Sequence, residues 1–220
     1  MTLLLGIDDA GRGPVLGPMI LAGVLIESSE EKSIKDMGAR DSKLLTPTRR
    51  KQIREQMISQ FKYHIETSSP KEIDKSSNLN YLEAIKTAKI INELTKELKE
   101  KVDVIVDCPS VNIQSWSNDV QKLIERPKII NLSCEHKADF NHPVVSAASI
   151  FAKEKREDEM KKLRQKLGID FGSGYPADPK TKEFIVENFD NEEYKHIIRF
   201  SWNTVKKLVK AKKANQQKLF

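Results

Sequence analysis

The chain has 220 residues, 38 Lys and Arg against 32 Asp and Glu, and a net charge of +6. That length fits one large domain with a buried core, and the basic excess favours a polyanionic partner, with a solvated surface accounting for part of it. Its two cysteines, Cys108 and Cys134, have neither zinc spacing nor a disulfide-framework pattern, and its longest strongly apolar run, Met19 to Ile26, is far too short to span a bilayer. With no charged segment ahead of a cleavage site, the expectation is a cytoplasmic protein in a reducing compartment.

The first element is an apolar run, Leu3–Asp8, read as a buried strand. It delivers the adjacent carboxylates of Asp8 and Asp9 at its end, followed by Gly11-Arg12-Gly13-Pro14. Two carboxylates 4 Å apart repel by about 4 kcal/mol at an effective dielectric near 20. Such a pair is usually neutralised by a divalent cation, and oxygen-only ligands suit Mg²⁺ or Mn²⁺. The glycines beside Arg12 let the backbone approach a sugar or phosphate closely. Met19–Ile26 reads as a second strand, Thr46-Pro47 as a helix start with Thr46 as its cap, and Phe61–Thr67 as a third strand. Apolar residues at Leu82, Ile85, Ala88, Ile91, Leu94 and Leu98 predict a helix over Leu79–Leu98. Val102–Val106 predicts a buried strand ending at Asp107, and Ile129–Leu132 another. A long helix is expected over His142–Leu167, with a small-residue face at Ala147, Ala148 and Ala152. Gly168–Pro179 reads as an irregular loop, and helices are expected over Thr181–Asn188 and Thr204–Ala214. Together these predict an α/β fold, a mixed sheet flanked by helices with a helical C-terminal extension.

Asp8 and Asp107 both fall at C-terminal ends of apolar strands, where ligands gather in α/β sheets. Asp139, in Lys137-Ala138-Asp139, is placed to join the same edge, so Asp8, Asp9, Asp107 and Asp139 would ring one site. Each also has a plain structural reading. Asp107 before Cys108-Pro109 suits a turn, Asp139 a helix start, and His136 a structural histidine, since metal sites built on aspartates need no imidazole.

Five motifs occur in order. They are Gly6–Pro14, Asp41-Ser42-Lys43, Lys137-Ala138-Asp139 with Val144–Ile150 and Ala152-Lys153, Gly172–Pro176 with Asp178–Thr181, and Arg199-Phe200-Ser201-Trp202. Over residues 3–205 the chain resembles type 2 ribonuclease H, and the Gly-Tyr-Pro and Asp-Pro-Lys-Thr forms look like the archaeal and eukaryotic branch. The resemblance implies a ribonuclease H-like fold and hydrolysis of RNA in RNA–DNA hybrids. It also implies cutting 5′ of ribonucleotides embedded in duplex DNA, a step of ribonucleotide excision repair and replication, with two Mg²⁺ or Mn²⁺ ions and 3′-hydroxyl and 5′-phosphate products. Asp8, Asp107 and Asp139 match three of the family's four metal-binding carboxylates, while Asp9 stands where the family normally has Glu. Gly11, Arg12 and Gly13 match the stretch contacting the ribose 2′-hydroxyl, and Tyr175 the tyrosine that stacks on the sugar after the scissile bond. Lys43, Ser146 and Lys153 match positions for substrate backbone contacts or site support.

The expected organisation is a catalytic domain over 1–205 and a basic tail over 206–220, acting as a monomer. In the tail, Gln216-Gln217-Lys218-Leu219-Phe220 looks like the start of a sliding-clamp-binding box but stops early. Two rival functions remain at this point: another carboxylate-dependent nuclease or transferase, prompted by the acidic site, and a nucleic-acid-binding protein with impaired catalysis, prompted by Asp9 and the basic tail.

Overall fold

A run of Leu3, Leu4, Leu5 and Ile7 has no polar face to offer water, and it becomes the central strand of the protein. The computed structural model describes residues 2–39 and 45–217, with side chains through residue 214. Among the described residues the strands are β1 (Leu3–Ala10), β2 (Met19–Glu27), β3 (Lys62–Ser68), β4 (Val102–Asp107) and β5 (Ile130–Glu135), in one sheet of order β3-β2-β1-β4-β5. β1 runs antiparallel to β2, pairing Leu3 with Glu27 through Ala10 with Ile20, and parallel to β4, pairing Leu3 with Val102 through Ile7 with Val106. β5 extends the parallel part, with Asp107 opposite Glu135. This is the expected mixed sheet with helices against it.

The described residues form two compact units. The first, within residues 1–10, 20–67 and 78–155, holds the sheet; the second, within 11–19, 68–77 and 156–220, holds the glycine-rich turn and the C-terminal helices. In the first unit the Pro47–Ile58 helix is capped as expected, Thr46 Oγ1 accepting from Arg49 N at 3.3 Å. The core around β2 and the start of the Pro143–Leu167 helix is aliphatic, with Ile20, Val24, Ile26, Ile53, Met57, Val144, Ile150 and Phe151 all buried. In the second unit Leu16, Met160, Phe171, Phe184, Ile185 and Ile197 make a separate core between the Pro179–Asn188 and Asn203–Gln217 helices.

Several expected boundaries move for identifiable reasons. β1 continues past Asp8 to Ala10, because Asp8 and Asp9 still pair with Ala22 and Leu21 of β2. The Leu79–Thr95 helix ends short of Leu98: Arg126 Nη1 takes the carbonyls of Thr95 and Lys96, both at 2.8 Å, and closes the C-terminus there. Its buried face is also wider than the expected stripe, burying Glu83, Lys86 and Thr87 along with Leu82, Ala88 and Ile91. His142 is extended rather than helical, separating the short Ala138–Asn141 turn from the long helix that starts at Pro143.

The long helix meets β1 at Gly6. A Cβ there would lie 2.4 Å from the Val144 carbonyl carbon and 2.6 Å from Val145 N, which is backbone and cannot yield. Gly6→Ala is therefore expected to cost about 3 kcal/mol, the upper end of overpacking in a dense core, measured as a lowered midpoint in urea at unchanged slope.

Candidate active site

The first unit holds the acidic residues. One residue past the last β1–β4 pair, Ile7 with Val106, stand Asp8 and Asp107 on adjacent parallel strands. Asp8 is 5% exposed, with Oδ1 accepting from Asp9 N at 2.7 Å and its carboxyl hydrogen-bonded to Ser149 of the long helix. Burial, then the Asp9 charge and further the Asp107 charge, push the Asp8 carboxyl well above the ordinary carboxylate range, and the Ser149 bond pulls the other way. Asp107 Oδ1 accepts from Ala138 N at 3.0 Å, which ties the end of β4 to the start of the turn carrying Asp139. Lys137 makes this turn possible by taking a left-handed conformation, φ 59°, the one non-glycine positive φ among the described residues. A non-glycine residue held there is strained, and such strain clusters at functional sites.

Asp8, Asp9 and Asp107 also line a cavity of about 10 Å³ with Glu83 and Thr87. Among the described residues no three His, Cys, Asp or Glu side chains are already gathered in ion-holding geometry. The donor chemistry nonetheless fits a hard divalent cation. The donors are all oxygen, one carboxyl is buried against two like charges, and a cation would remove the repulsion that raises Asp8.

The second unit builds the Gly11–Gly13 turn around a buried cation. Arg199 is fully buried, and its guanidinium donates to Gly11 O at 2.7 Å, Gly17 O at 2.9 Å and Arg12 O at 3.0 Å, with Trp202 beneath it at 5.2 Å. The following strip is held on both sides, by Val15 N to Gly174 O at 2.8 Å and Arg199 N to Val15 O at 2.9 Å. Gly11 has φ +83°, and a Cβ on it would meet Arg156 Cδ and Nε at 2.5 Å, so this place admits only glycine. Arg156 is itself buried, and its guanidinium lies 5.3 Å from the centre of the Tyr175 ring, which remains 45% exposed. The turn and Tyr175 are thereby joined through Gly174 and Arg156. Asp74 braces the same unit, accepting from Phe200 N at 2.7 Å and Ser201 Oγ at 2.6 Å.

Of the other expected residues, Ser146 is buried and its hydroxyl donates to Ala39 O, a supporting role, while Lys153 is half-buried on the long helix. Lys43 and the Asp41-Ser42-Lys43 motif lie outside the described residues. His136 is structural in this fold, its Nδ1 3.1 Å from Cys108 O. Sequence reasoning missed Arg156, Glu83 and Thr87. Arg156 follows the Ala152-Lys153 motif by three residues and so could have been read with it; Glu83 and Thr87 carry no such signal.

The family model for ribonuclease HII matches residues 5–205. The chain is 39% identical over 218 residues to the ribonuclease HII of Pyrococcus furiosus, covering 97% of this chain and 94% of that one. Its fold superposes on the crystal structure of the ribonuclease H2 from Pyrococcus horikoshii OT3 with a TM-score of 0.84 at 35% identity, covering 96% of this chain and 99% of the other. It also superposes on ribonuclease HII in the PCNA:RNase HII complex from Archaeoglobus fulgidus, with a TM-score of 0.80 at 34% identity, covering 93% and 96%. Near full-length agreement in sequence and fold, over the span that carries the acidic strand ends and the braced glycine turn, shows that the chain belongs to the ribonuclease HII family and is a nuclease of the hydrolase class.

Proposed function

We propose that the chain hydrolyses the RNA strand of RNA–DNA hybrids and cuts duplex DNA on the 5′ side of an embedded ribonucleotide, leaving 3′-hydroxyl and 5′-phosphate ends. The observation that carries this reading is the buried Asp8 carboxyl, set against Asp9 and Asp107 at the ends of parallel strands. Asp8, Asp9, Asp107 and Asp139 would hold two Mg²⁺ or Mn²⁺ ions, which activate water and stabilise the leaving oxygen in such sites. Ser149 and the Asp9 amide hold the Asp8 carboxylate in position, and Asp107 accepts from Ala138 N, which fixes its carboxyl at the end of β4.

Gly11, Arg12 and Gly13 are the reader of the ribose 2′-hydroxyl, the group that separates RNA from DNA. Arg199 fixes the carbonyls of Gly11 and Arg12, so the turn is pre-organised for contact. Tyr175 offers its exposed ring to the following sugar, Lys43 and Lys153 attract the nucleic-acid backbone, and Ser146 supports the long helix. Residues 1–205 form the catalytic part. The exposed Lys206, Lys207, Lys210 and Lys213 on the last helix add a non-specific hold on the duplex. No helix among the described residues is long and apolar enough to cross a membrane, and the protein would meet its substrate as a monomer in the cytoplasm.

The direct test is cleavage of duplex DNA carrying one ribonucleotide, across a Mg²⁺ and Mn²⁺ titration. Asp107→Asn keeps an oxygen for Ala138 N but removes the charge. It should lose on the order of a hundredfold or more in single-turnover rate with its circular dichroism unchanged. Full activity in excess EDTA would sink the metal reading, cleavage of all-DNA duplex at equal rate would favour a general nuclease, and binding without cleavage would favour a non-catalytic protein.

The acidic cluster also predicts a pH signature in the metal-free protein. Asp8 binds its proton more tightly folded than unfolded, so stability falls as pH rises above the unfolded value of about 4. Asp8→Asn removes that loss. Its Tm relative to the parent should therefore increase from pH 4 upward, and added Mg²⁺ should narrow the gap by stabilising the parent alone. A gap that is constant across pH would contradict the assignment.

A sliding clamp is the proposed protein partner, through Gln216–Phe220; the side chains of this segment lie outside the described residues. Support comes from the clamp complex formed by the Archaeoglobus fulgidus relative. Titrating the clamp with a peptide spanning 210–220 should give saturable binding, and none at high micromolar peptide would discard this partner.

A further inference from the structure

Asp9 presents a short carboxylate, and it faces a cavity rather than solid packing. The cavity is about 10 Å³, room for one water, and its polar lining is Asp8, Asp9, Asp107, Glu83 and Thr87. Thr87 is 1% exposed, and its Oγ1 has no hydrogen-bond partner among the described residues. That hydroxyl could have bonded the carbonyl four residues back. Thr95 on the same helix does so, Oγ1 to Ile91 O at 2.7 Å. A buried hydroxyl left without a partner costs about 1–3 kcal/mol, so a polar occupant of the cavity is favoured at this point.

We propose that one water in this cavity accepts from Thr87 and donates to Asp9 and Glu83, and that it sets the position of the Asp9 carboxylate. A water at such a place has the two to four polar partners that buried waters require, with one acceptance and two donations balanced. Thr87 and Glu83 are then positioning residues, acting through the water on Asp9, and the water spans the distance a longer side chain would have covered. This rests on the reading of Asp9 as a metal ligand, since its position matters only if it binds.

The test measures Mn²⁺ binding by calorimetry on the full chain without nucleic acid, with high-resolution crystallography of the same variants. Thr87→Val removes the hydroxyl at nearly constant shape. It should empty the water site and weaken Mn²⁺ binding about tenfold, the scale of losing an outer-shell partner. Thr87→Ser should restore both. In an Asp9→Glu background, where the longer side chain occupies the space, Thr87→Val should change affinity less than threefold. If Thr87→Val binds Mn²⁺ like the parent while Asp9→Asn binds weakly, the water has no positioning role and the proposal fails with Asp9 still a ligand. If Asp9→Asn itself binds like the parent, the reading of Asp9 as a ligand fails, and the proposal with it.

Discussion

The backbone of the Pro143–Leu167 helix comes so close to β1 that only a hydrogen fits at Gly6, and the acidic site depends on that approach. Contact between two backbones leaves no side chain to adjust, so the helix is seated on the strand in one register. Ala147 and Ala148 on the helix are small enough to allow it, and Ser146 locks the next turn by donating to Ala39 O. Once Val144 and Val145 cover Gly6, Ser149 is brought to Asp8. The position of the buried Asp8 carboxylate is thus a consequence of packing two residues away. Dense contacts set the place of the carboxylate, and its bonds from Ser149 and the Asp9 amide then hold it there.

Packing that fixes Asp8 also removes it from water, and the resulting charge problem has no full solution within the protein. Ser149 and the Asp9 amide contribute hydrogen bonds, while burial and the Asp9 and Asp107 charges outweigh them. The second unit shows the contrasting case. Arg199 is as deeply buried, but three backbone carbonyls and the Trp202 face meet its guanidinium. A buried ion that is fully satisfied organises structure; a buried carboxyl left against like charges keeps its proton more tightly or is met by a cation. That difference assigns Arg199 to bracing the turn and is the ground on which we propose Asp8 for the chemistry.

Much of this was legible in the sequence because it rests on local pattern. The apolar runs through Leu5 and Ile7 and through Val104 and Val106 announce strands, and their following aspartates announce a strand-end site. Thr46-Pro47 marks its helix start through chemistry confined to four residues. What escaped depends on partners far along the chain. The Leu79–Thr95 helix stops where Arg126 arrives, and its buried face includes Lys86 because Glu66 Oε2 and Thr67 O, each at 3.2 Å, receive its ammonium. A hydrophobic stripe counted by residue type cannot register a lysine buried by its partners. Glu83 and Thr87 were hidden for the same reason, as polar residues on a buried face wider than the stripe. Arg156 gave no sign of its packing against Gly11, more than 140 residues earlier in the chain.

These constraints together decide how the chain can accommodate Asp9. On the proposal that Asp9 is a metal ligand, β1 cannot move toward the ion to make up for a short side chain. It is paired on one side with β2 from Leu3 through Ala10 and on the other with β4, and the long helix is pressed onto Gly6. Shifting the strand by even 1 Å would break those pairings and clash with Val144, at a cost well above that of ordering one water, at most about 2 kcal/mol. The remaining freedom lies on the side of the Leu79–Thr95 helix, where Glu83 and Thr87 line the cavity. A rigid strand therefore forces the adjustment into the space between Asp9 and that helix. The polar residues buried on this helix, out of place in a hydrophobic stripe, stand where such an adjustment needs them.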